Sequence, residues 1–405
     1  MAVTITEALD IIYTNITPVS TEIIPIEISL GRILSRACIA DFDLPRFDHS
    51  ARDGYAVKCA DGGKTVTSTQ VIYAGDDPGM ILQEKTAIRI MTGAPIPQGC
   101  EAIVQFEDIT EYNNKITLPE TIKPNMYIRP AGEDMKKGSI YLQSGDKITA
   151  YAIALLASQG VTHIEVYRKV KMTVFSSGDE LRMHYEKIEA HQIFNSNTPM
   201  FLSRAKELGC EVSFVPNIGD TLASLEAAIQ ASLDADIIVT SGGMNFGDKD
   251  FTKEAFANCG INSLFNRVEI KPGKPVAFGQ IGQTAIINLP GNPLGAMVNY
   301  EIFIRTVIHK MSGDSAYFLH TVETVIGEDF QPKKGIYTAT LGHFDGKNFI
   351  PLKQQAAGMV TPLKETQAMM ITQPDIRLLK KGNSVKIIPI TWEFFAKKKE
   401  DFYTV

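Results

Sequence analysis

The chain has 405 residues, a formal net charge of −6 and a hydrophobic share of 44%, ordinary for a soluble protein and sufficient for two to four domains. The acidic balance excludes a nucleic-acid binder working through bulk positive charge, and no apolar run approaches the ~20 residues needed to span a membrane. Five scattered cysteines (Cys38, Cys59, Cys100, Cys210, Cys259) form no CxxC pair, which speaks against a zinc centre or a disulfide framework and fits a cytoplasmic location.

Residues 4–14 read as an amphipathic helix, with Thr4 or Thr6 as cap and Ile5, Ala8, Leu9 and Ile12 on one face. The opening MAVTITEALD does not have the form of a signal peptide. Residues 22–42 read as extended, with a turn at Leu30-Gly31, and 43–47 as a proline-punctuated linker. From 46 to 145, short β-rich runs alternate with Gly, Pro and Asp turns and no helical period is sustained, which predicts a β-rich insert domain. Asp48, Ser50, Asp53, Thr92, Glu107, Glu133 and Asp134 punctuate it, and each is equally a turn residue type. Residues 148–160 predict a second helix, closed by Gly160, that returns beside the first as a discontinuous helical stalk.

Residues 168–312 alternate strand and helix, so a parallel or mixed sheet covered on both faces is expected. The last βα unit closes with a helix from about Leu294 to His309. Residues 320–390 are again β-rich and predict a small C-terminal barrel or sandwich, with the KKK run near the end as a solvated face. The fold class is thus α/β and β multidomain: a stalk of 1–45 plus 146–167, a β-rich insert of 46–145, a βα-repeat domain of 168–318 and a C-terminal β-barrel-like domain of 319–405.

The chemistry concentrates in the βα repeat. The apolar run Ile237, Ile238 and Val239 ends in Ser241, Gly242 and Gly243, where main-chain N–H groups lie open to an anionic ligand. IKPGKP (270–275) presents Lys271 and Lys274 on a proline-stiffened loop, and LPGNP (289–293) brings Pro290, Gly291 and Asn292 to another strand–helix junction. Any one of these alone is an ordinary turn or a solvated charge; together they predict a phosphorylated or oxyanion ligand plus a metal. Glu180 in SSGDEL, Asp220 and Asp250 fall at strand ends of the same sheet, a carboxylate set suited to Mg²⁺ completed by water and phosphate. The seven histidines show no ligand spacing and take no role.

These loops, with FDHSARDGYAV (47–57), MTGAPIPQGCEAIVQFED (91–108) and RPAGEDMKKG (129–138), resemble the signatures of the molybdopterin molybdenumtransferase family, which includes MoeA and the gephyrin E domain. The resemblance runs along almost the whole chain. It implies a MoaB/MogA-like central domain and insertion of molybdate into adenylylated molybdopterin with Mg²⁺-dependent release of AMP. A homodimer is expected because two small β units on a thin stalk bury little core alone and are completed by symmetric pairing. The resemblance adds Asp53, Thr92 and Asp134 as site residues, with Asp250, Asp53, Glu180 and Asp134 catalytic. Thr92, Ser241, Gly242, Gly243, Asp220, Pro290, Gly291 and Asn292 would hold the pterin nucleotide, Lys271 and Lys274 the oxyanion, and Asp250, Glu180 and Asp220 the metal.

The chain also departs from the family pattern. Gly295 stands where the family has a serine, residues 340–343 read TLGH where an arginine is expected, and Ala356 and Ala357 replace a Gly-Ser pair. Half of the oxyanion pocket therefore reads as lost, which leaves two alternatives: a paralogue with altered oxyanion specificity, or a weakened nucleotide-pterin-binding scaffold. A dinucleotide-dependent oxidoreductase is excluded by the lack of GxGxxG after the first strand of the repeat.

Overall fold

The computed structural model describes residues 2–392 apart from 78, 217, 220 and 243–250, and only the backbone at 251–253. The chain divides into two compact units, one of Met1–Arg36, Ser144–Ile153 and His163–Val405, the other of Ala37–Gln143 and Ala154–Thr162.

The larger unit is built on a six-stranded sheet in the order Glu211–Phe214, Lys171–Ser176, Ile237–Ser241, Thr284–Leu289, Ala277–Ile281, Asn262–Phe265. The first four strands are parallel and the last two antiparallel. The β-branched run of Ile237–Ser241 is buried throughout because both faces are covered. Ile237 and Val239 join a core with Phe201, Ala205 and Leu294 on one side, and Ile238 joins Leu225, Ile229 and Phe256 on the other. Each such side chain, fully buried, contributes about 1.5–3 kcal/mol.

Helix Ile5–Asn15 starts at a capping box in which Thr4 Oγ1 accepts from Glu7 N and Glu7 accepts from Thr4 N. It buries Ala8 and Ile12 in the same core as Ile237 and Val239. Helix Asn197–Glu207 sets Phe201 against Tyr300, rings stacked at 5.2 Å. The helix expected from Leu294 runs Pro293–Asn299, passes through a buried π-helical turn at Tyr300–Ile304, and continues as Arg305–Met311. The predicted extension over 22–42 is interrupted by a 3-10 turn at Ile26–Ile28.

In the same unit, Tyr337–Phe344, Asn348–Pro351, Val322–Ile326, Ser384–Pro389 and Ala368–Thr372 pair in that order, and the last pairs back to the first, closing a five-stranded barrel. Phe349, Ile326 and Ile387 fill it. The smaller unit contains a six-stranded, mainly antiparallel sheet in the order Ala102–Gln105, Gly54–Val57, Thr86–Ile90, Thr65–Ile72, Lys115–Thr117, Thr110–Tyr112. Alternation along Tyr55, Ala56 and Val57 feeds two apolar clusters. No helix among the described residues is long and apolar enough to cross a membrane.

Buried charges join the barrel to the α/β layers. Glu301, 2% exposed, accepts a bidentate pair from Arg204 at 2.7 and 3.1 Å and lies 3.2 Å from Arg305. The same two arginines donate to the carbonyls of Ile390 and Pro389 at the end of the last barrel strand. The Glu301→Gln substitution keeps the volume but leaves two partly buried guanidinium groups without their carboxylate. We expect a loss of about 3 kcal/mol in equilibrium urea unfolding; a change under about 1 kcal/mol would mean that solvent already screens the cluster.

Candidate functional site

Three parallel strands end together, with Ser176 level with Ser241 and Ser241 level with Leu289. Immediately beyond them the chain turns at Ser177–Glu180, at Gly242 and at Pro290–Asn292. Gly242 adopts φ 97°, and a Cβ there would stand 2.4 Å from the carbonyl oxygen of Ser177. Only glycine satisfies both constraints. Ser177 N donates to Ser241 O at 3.1 Å and Gly242 N to Leu289 O at 3.3 Å, so the three strand ends are tied by their own backbone.

Three buried asparagines, none singled out by the sequence motifs, hold the loops. Asn197 Nδ2 donates to Ser241 Oγ at 2.9 Å and to Gly291 O at 2.8 Å. Asn288 Nδ2 donates to Gly242 O at 3.2 Å. Asn299 Nδ2 donates to Gly273 O at 3.0 Å and Gly295 O at 2.7 Å. Ser241 Oγ in turn donates to Pro290 O at 3.1 Å. The available signal was polar residues inside apolar runs, IINL and MVNY; buried amides of this kind are retained only when hydrogen-bonded.

Lys271 lies on the short strand Ile270–Lys271, which pairs in parallel with Tyr337–Phe344 and sets Lys271 level with Thr338. The like charge of Lys333 holds the Lys271 pKa below the usual lysine range. Lys333 was not among the sequence candidates, because it is distant in sequence from the KPGK loop. Lys274 anchors the other end of that loop, its carbonyl accepting from Val268 N at 3.0 Å. Among the described residues no carboxylate pairs with Lys271, Lys274 or Lys333.

Residues 356–358 of the barrel do reach the LPGNP loop: Leu294 N donates to Ala357 O at 3.0 Å, and a Cβ on Gly358 would be 3.6 Å from Asn292 Oδ1. Pro290 is buried, while Gly291 and Asn292 are exposed. A Cβ on Gly295 would lie 3.1 Å from Gly273 Cα, so the KPGK loop is packed down on the position where the family pattern has a serine.

Glu180 and Asp179 are exposed at this rim. Glu180 folds its carboxylate over Gly178, with Oε2 2.9 Å from where a Cβ would sit. Gly243, Asp220 and Asp250 lie outside the described residues, and among the described residues no three His, Cys, Asp or Glu side chains cluster as a metal site. Asp53, Thr92 and Asp134 belong to the smaller unit. There the first two motifs interlock: Ser50 N donates to Ala94 O, Gly93 N to Ser50 O, and Asp53 Oδ1 accepts from Thr92 N at 2.7 Å and Thr92 Oγ1 at 2.8 Å. These backbone and hydroxyl bonds hold the Asp53 carboxyl below its ordinary pKa. Asp134 is exposed, and its N–H donates to Leu44 O.

The Gly242→Ala substitution should cost about 2 kcal/mol or more, from the left-handed backbone together with the contact at Ser177. A thermal-melting midpoint equal to that of the wild type would show that the turn relaxes without strain.

Two family models match the chain, one described as the MoeA N-terminal region (domain I and II) over residues 3–160, the other as a probable molybdopterin binding domain over 173–310. The molybdopterin molybdenumtransferase of Haemophilus influenzae is 36% identical over 305 residues, 74% of this chain and 75% of that protein. The one from Staphylococcus epidermidis RP62A is 32% identical over 374 residues, 89% of each. The solved structure of the molybdopterin biosynthesis MoeA protein from Pyrococcus horikoshii OT3 is 24% identical, with a TM-score of 0.84 over 96% of this chain and 100% of that one, a likeness of fold. The chain belongs to the molybdopterin molybdenumtransferase family, transferases of molybdenum cofactor biosynthesis.

Proposed function

We propose that this protein inserts molybdate into adenylylated molybdopterin and releases AMP. The observation that carries the reading is the convergence of the Gly242 and Pro290–Asn292 turns at the carboxyl ends of neighbouring strands, beside a loop of lysines that no described carboxylate neutralises. Molybdate is a tetrahedral dianion and is best held by charge-assisted donors, which Lys271 and Lys274 provide. The pyrophosphate of the adenylylated pterin suits a glycine-lined strand end, where backbone N–H groups can approach it closely. Ser241, Gly242, Gly243, Pro290, Gly291 and Asn292 are assigned to that part, with Asp220 and Thr92.

Mg²⁺ fits this rim. Glu180 and Asp179 offer hard oxygen donors at the surface, and Mg²⁺ needs only one or two carboxylates because it keeps most of its water. Glu180, with Asp220 and Asp250, would hold it. Bound there, the ion neutralises negative charge that develops as the phosphoanhydride is cleaved. Asp53, whose carboxyl its bonds to Thr92 hold below the ordinary pKa, and Asp134 are the proposed catalytic carboxylates of the smaller unit. All five cysteines are free, which supports a reducing compartment such as the cytoplasm.

The test is release of AMP from adenylylated molybdopterin on addition of molybdate and Mg²⁺. We expect release to stop on chelation, and Glu180→Gln to lower turnover at least about tenfold while changing ligand affinity less. Binding of the pterin nucleotide without AMP release would instead favour the scaffold alternative.

A homodimer is part of the same proposal. Ile39 and Ile140 are directly paired across two strands of the smaller unit and are 56% and 53% exposed. In the larger unit Ile23, Ile28, Leu30 and Tyr151 are each more than 60% exposed. Apolar surface of this extent is commonly covered by symmetric association. Sedimentation equilibrium at micromolar concentration should give twice the chain mass; a single chain mass would remove the claim.

A further inference from the structure

We propose that Arg89, on the smaller unit, binds the phosphate in the nucleotide part of the substrate, from a position fixed beside the Asp53–Thr92 pair. This rests on the proposed function, which assigns Thr92 to the pterin nucleotide.

The placement follows from the sheet. Gly54–Val57 runs between Thr86–Ile90 on one side and Ala102–Gln105 on the other. Tyr55 is level with Arg89 across the first ladder and with Val104 across the second. Gly54 is likewise level with Ile90 and with Gln105, so Asp53, Thr92 and Phe106 all lie just beyond the same end of the sheet. Arg89 is exposed, and its Cζ lies 4.9 Å from the centroid of the Phe106 ring, although Phe106 belongs to the far side of the central strand. The side chain therefore crosses that strand toward the end where Asp53 and Thr92 stand. Its platform is itself held, because Phe106 meets Tyr55 edge-on at 5.5 Å.

A ring attracts a guanidinium through its π face and requires none of its five N–H donors. Among the described residues no carboxylate pairs with Arg89. Asp53 is no exception, since its Oδ1 is taken by Thr92 N and Thr92 Oγ1. The charge of Arg89 nevertheless reaches Asp53, where it adds to those two bonds in lowering the carboxyl pKa. Arg52, next to Asp53, is a second exposed arginine, 5.9 Å from the ring of Tyr127. A planar fork fixed in place with open donors matches two oxygens of one phosphate. Under the same reading Lys271 and Lys274 serve the oxyanion, so the fork at Arg89 is assigned to the phosphate.

The test is calorimetric titration of the full chain with AMP, and separately with molybdate, at fixed pH and ionic strength. Arg89→Met keeps an unbranched stem over Phe106 and removes the fork. It should weaken AMP binding roughly tenfold, as loss of a charge-assisted bond does, and leave molybdate binding as in the wild type. Arg89→Lys should recover part of the loss, because it returns the charge without the planar fork. Lys115→Met, at an exposed lysine of the same sheet, should match the wild type, and unchanged melting temperatures would exclude unfolding. Failure of the wild type to bind AMP, or wild-type AMP affinity in Arg89→Met, overturns the proposal. Equal losses in Arg89→Met and Lys115→Met, or equal losses for AMP and molybdate, overturn it too, since the effect is then one of general charge. The proposed function is judged separately, by AMP release from adenylylated molybdopterin in the wild type. Release together with unchanged AMP affinity in Arg89→Met removes this proposal alone, and absence of release removes the proposed function.

Discussion

The site depends on three buried side-chain amides that bind the carbonyl groups of its turns. Asn197 ties Gly291 to Ser241, Asn288 fixes Gly242, and Asn299 fixes Gly273 together with Gly295. A tight turn exposes both N–H and C=O groups, and a buried carbonyl without a donor costs about 1–3 kcal/mol. Because the asparagine amides take the carbonyls inward, the turns keep a defined shape without regular secondary structure. The same contacts explain the glycines. At Gly273 an added Cβ would come within 2.1 Å of Asn299 Nδ2, so the amide can reach its two carbonyls only while that position lacks a side chain.

Charge is distributed on a second principle. Where it joins structural layers, it is buried or partly buried, and paired. Glu301 sits between two arginines that also take the carbonyls of Pro389 and Ile390, and Asp236 receives both guanidinium nitrogens of Arg168 and the N–H of Lys171. The first cluster ties the barrel to the α/β core, and the second ties Arg168 to the starts of two interior strands of the sheet. At the rim, by contrast, the lysines stand without described counter-ions. A paired charge has its field largely cancelled, whereas an unpaired one keeps it for a ligand. Holding the barrel in register through the buried pairs is what allows residues 333, 338 and 357 to meet a loop of the βα repeat.

Much of this was legible in the sequence. The β-branched runs gave the strands because a parallel sheet buried on both faces admits little else, and the PGNP loop marked a strand–helix junction, whereas the KPGK loop, expected at another, joins the strands Ile270–Lys271 and Ala277–Ile281. The motif pair around Asp53 and Thr92 reads in the sequence as two separate stretches, and folding makes it one hydrogen-bonded structure. Other features had a weak local signal or none. The π turn at Tyr300–Ile304 keeps the apolar content of an ordinary helix, so periodicity does not separate the two. Asn197, Asn288 and Asn299 look like single polar residues until their partners are known. Lys333 sits in a basic QPKKG segment that reads as a solvated turn, and the strand pairing that brings Lys271 to its side of the barrel sets Lys271 level with Thr338, which is distant in sequence.

The departures at Gly295 and Ala357 acquire a physical reason from the packing. A side chain at 295 would press on the backbone of Gly273, with its Cβ 3.1 Å from Cα and 3.2 Å from N. Contacts that short force one partner to move, and the KPGK loop is restrained from moving by Asn299 and by its strand pairing with the barrel. Ala357 contributes its carbonyl, which accepts from Leu294 N at the first turn of the helix, a bond that is indifferent to the side chain. Backbone contacts thus occupy the places where hydroxyl groups were expected. The strand pairing of Lys271 with the barrel and the carbonyl bond of Lys274 to Val268 fix the backbone from which both ammonium groups extend.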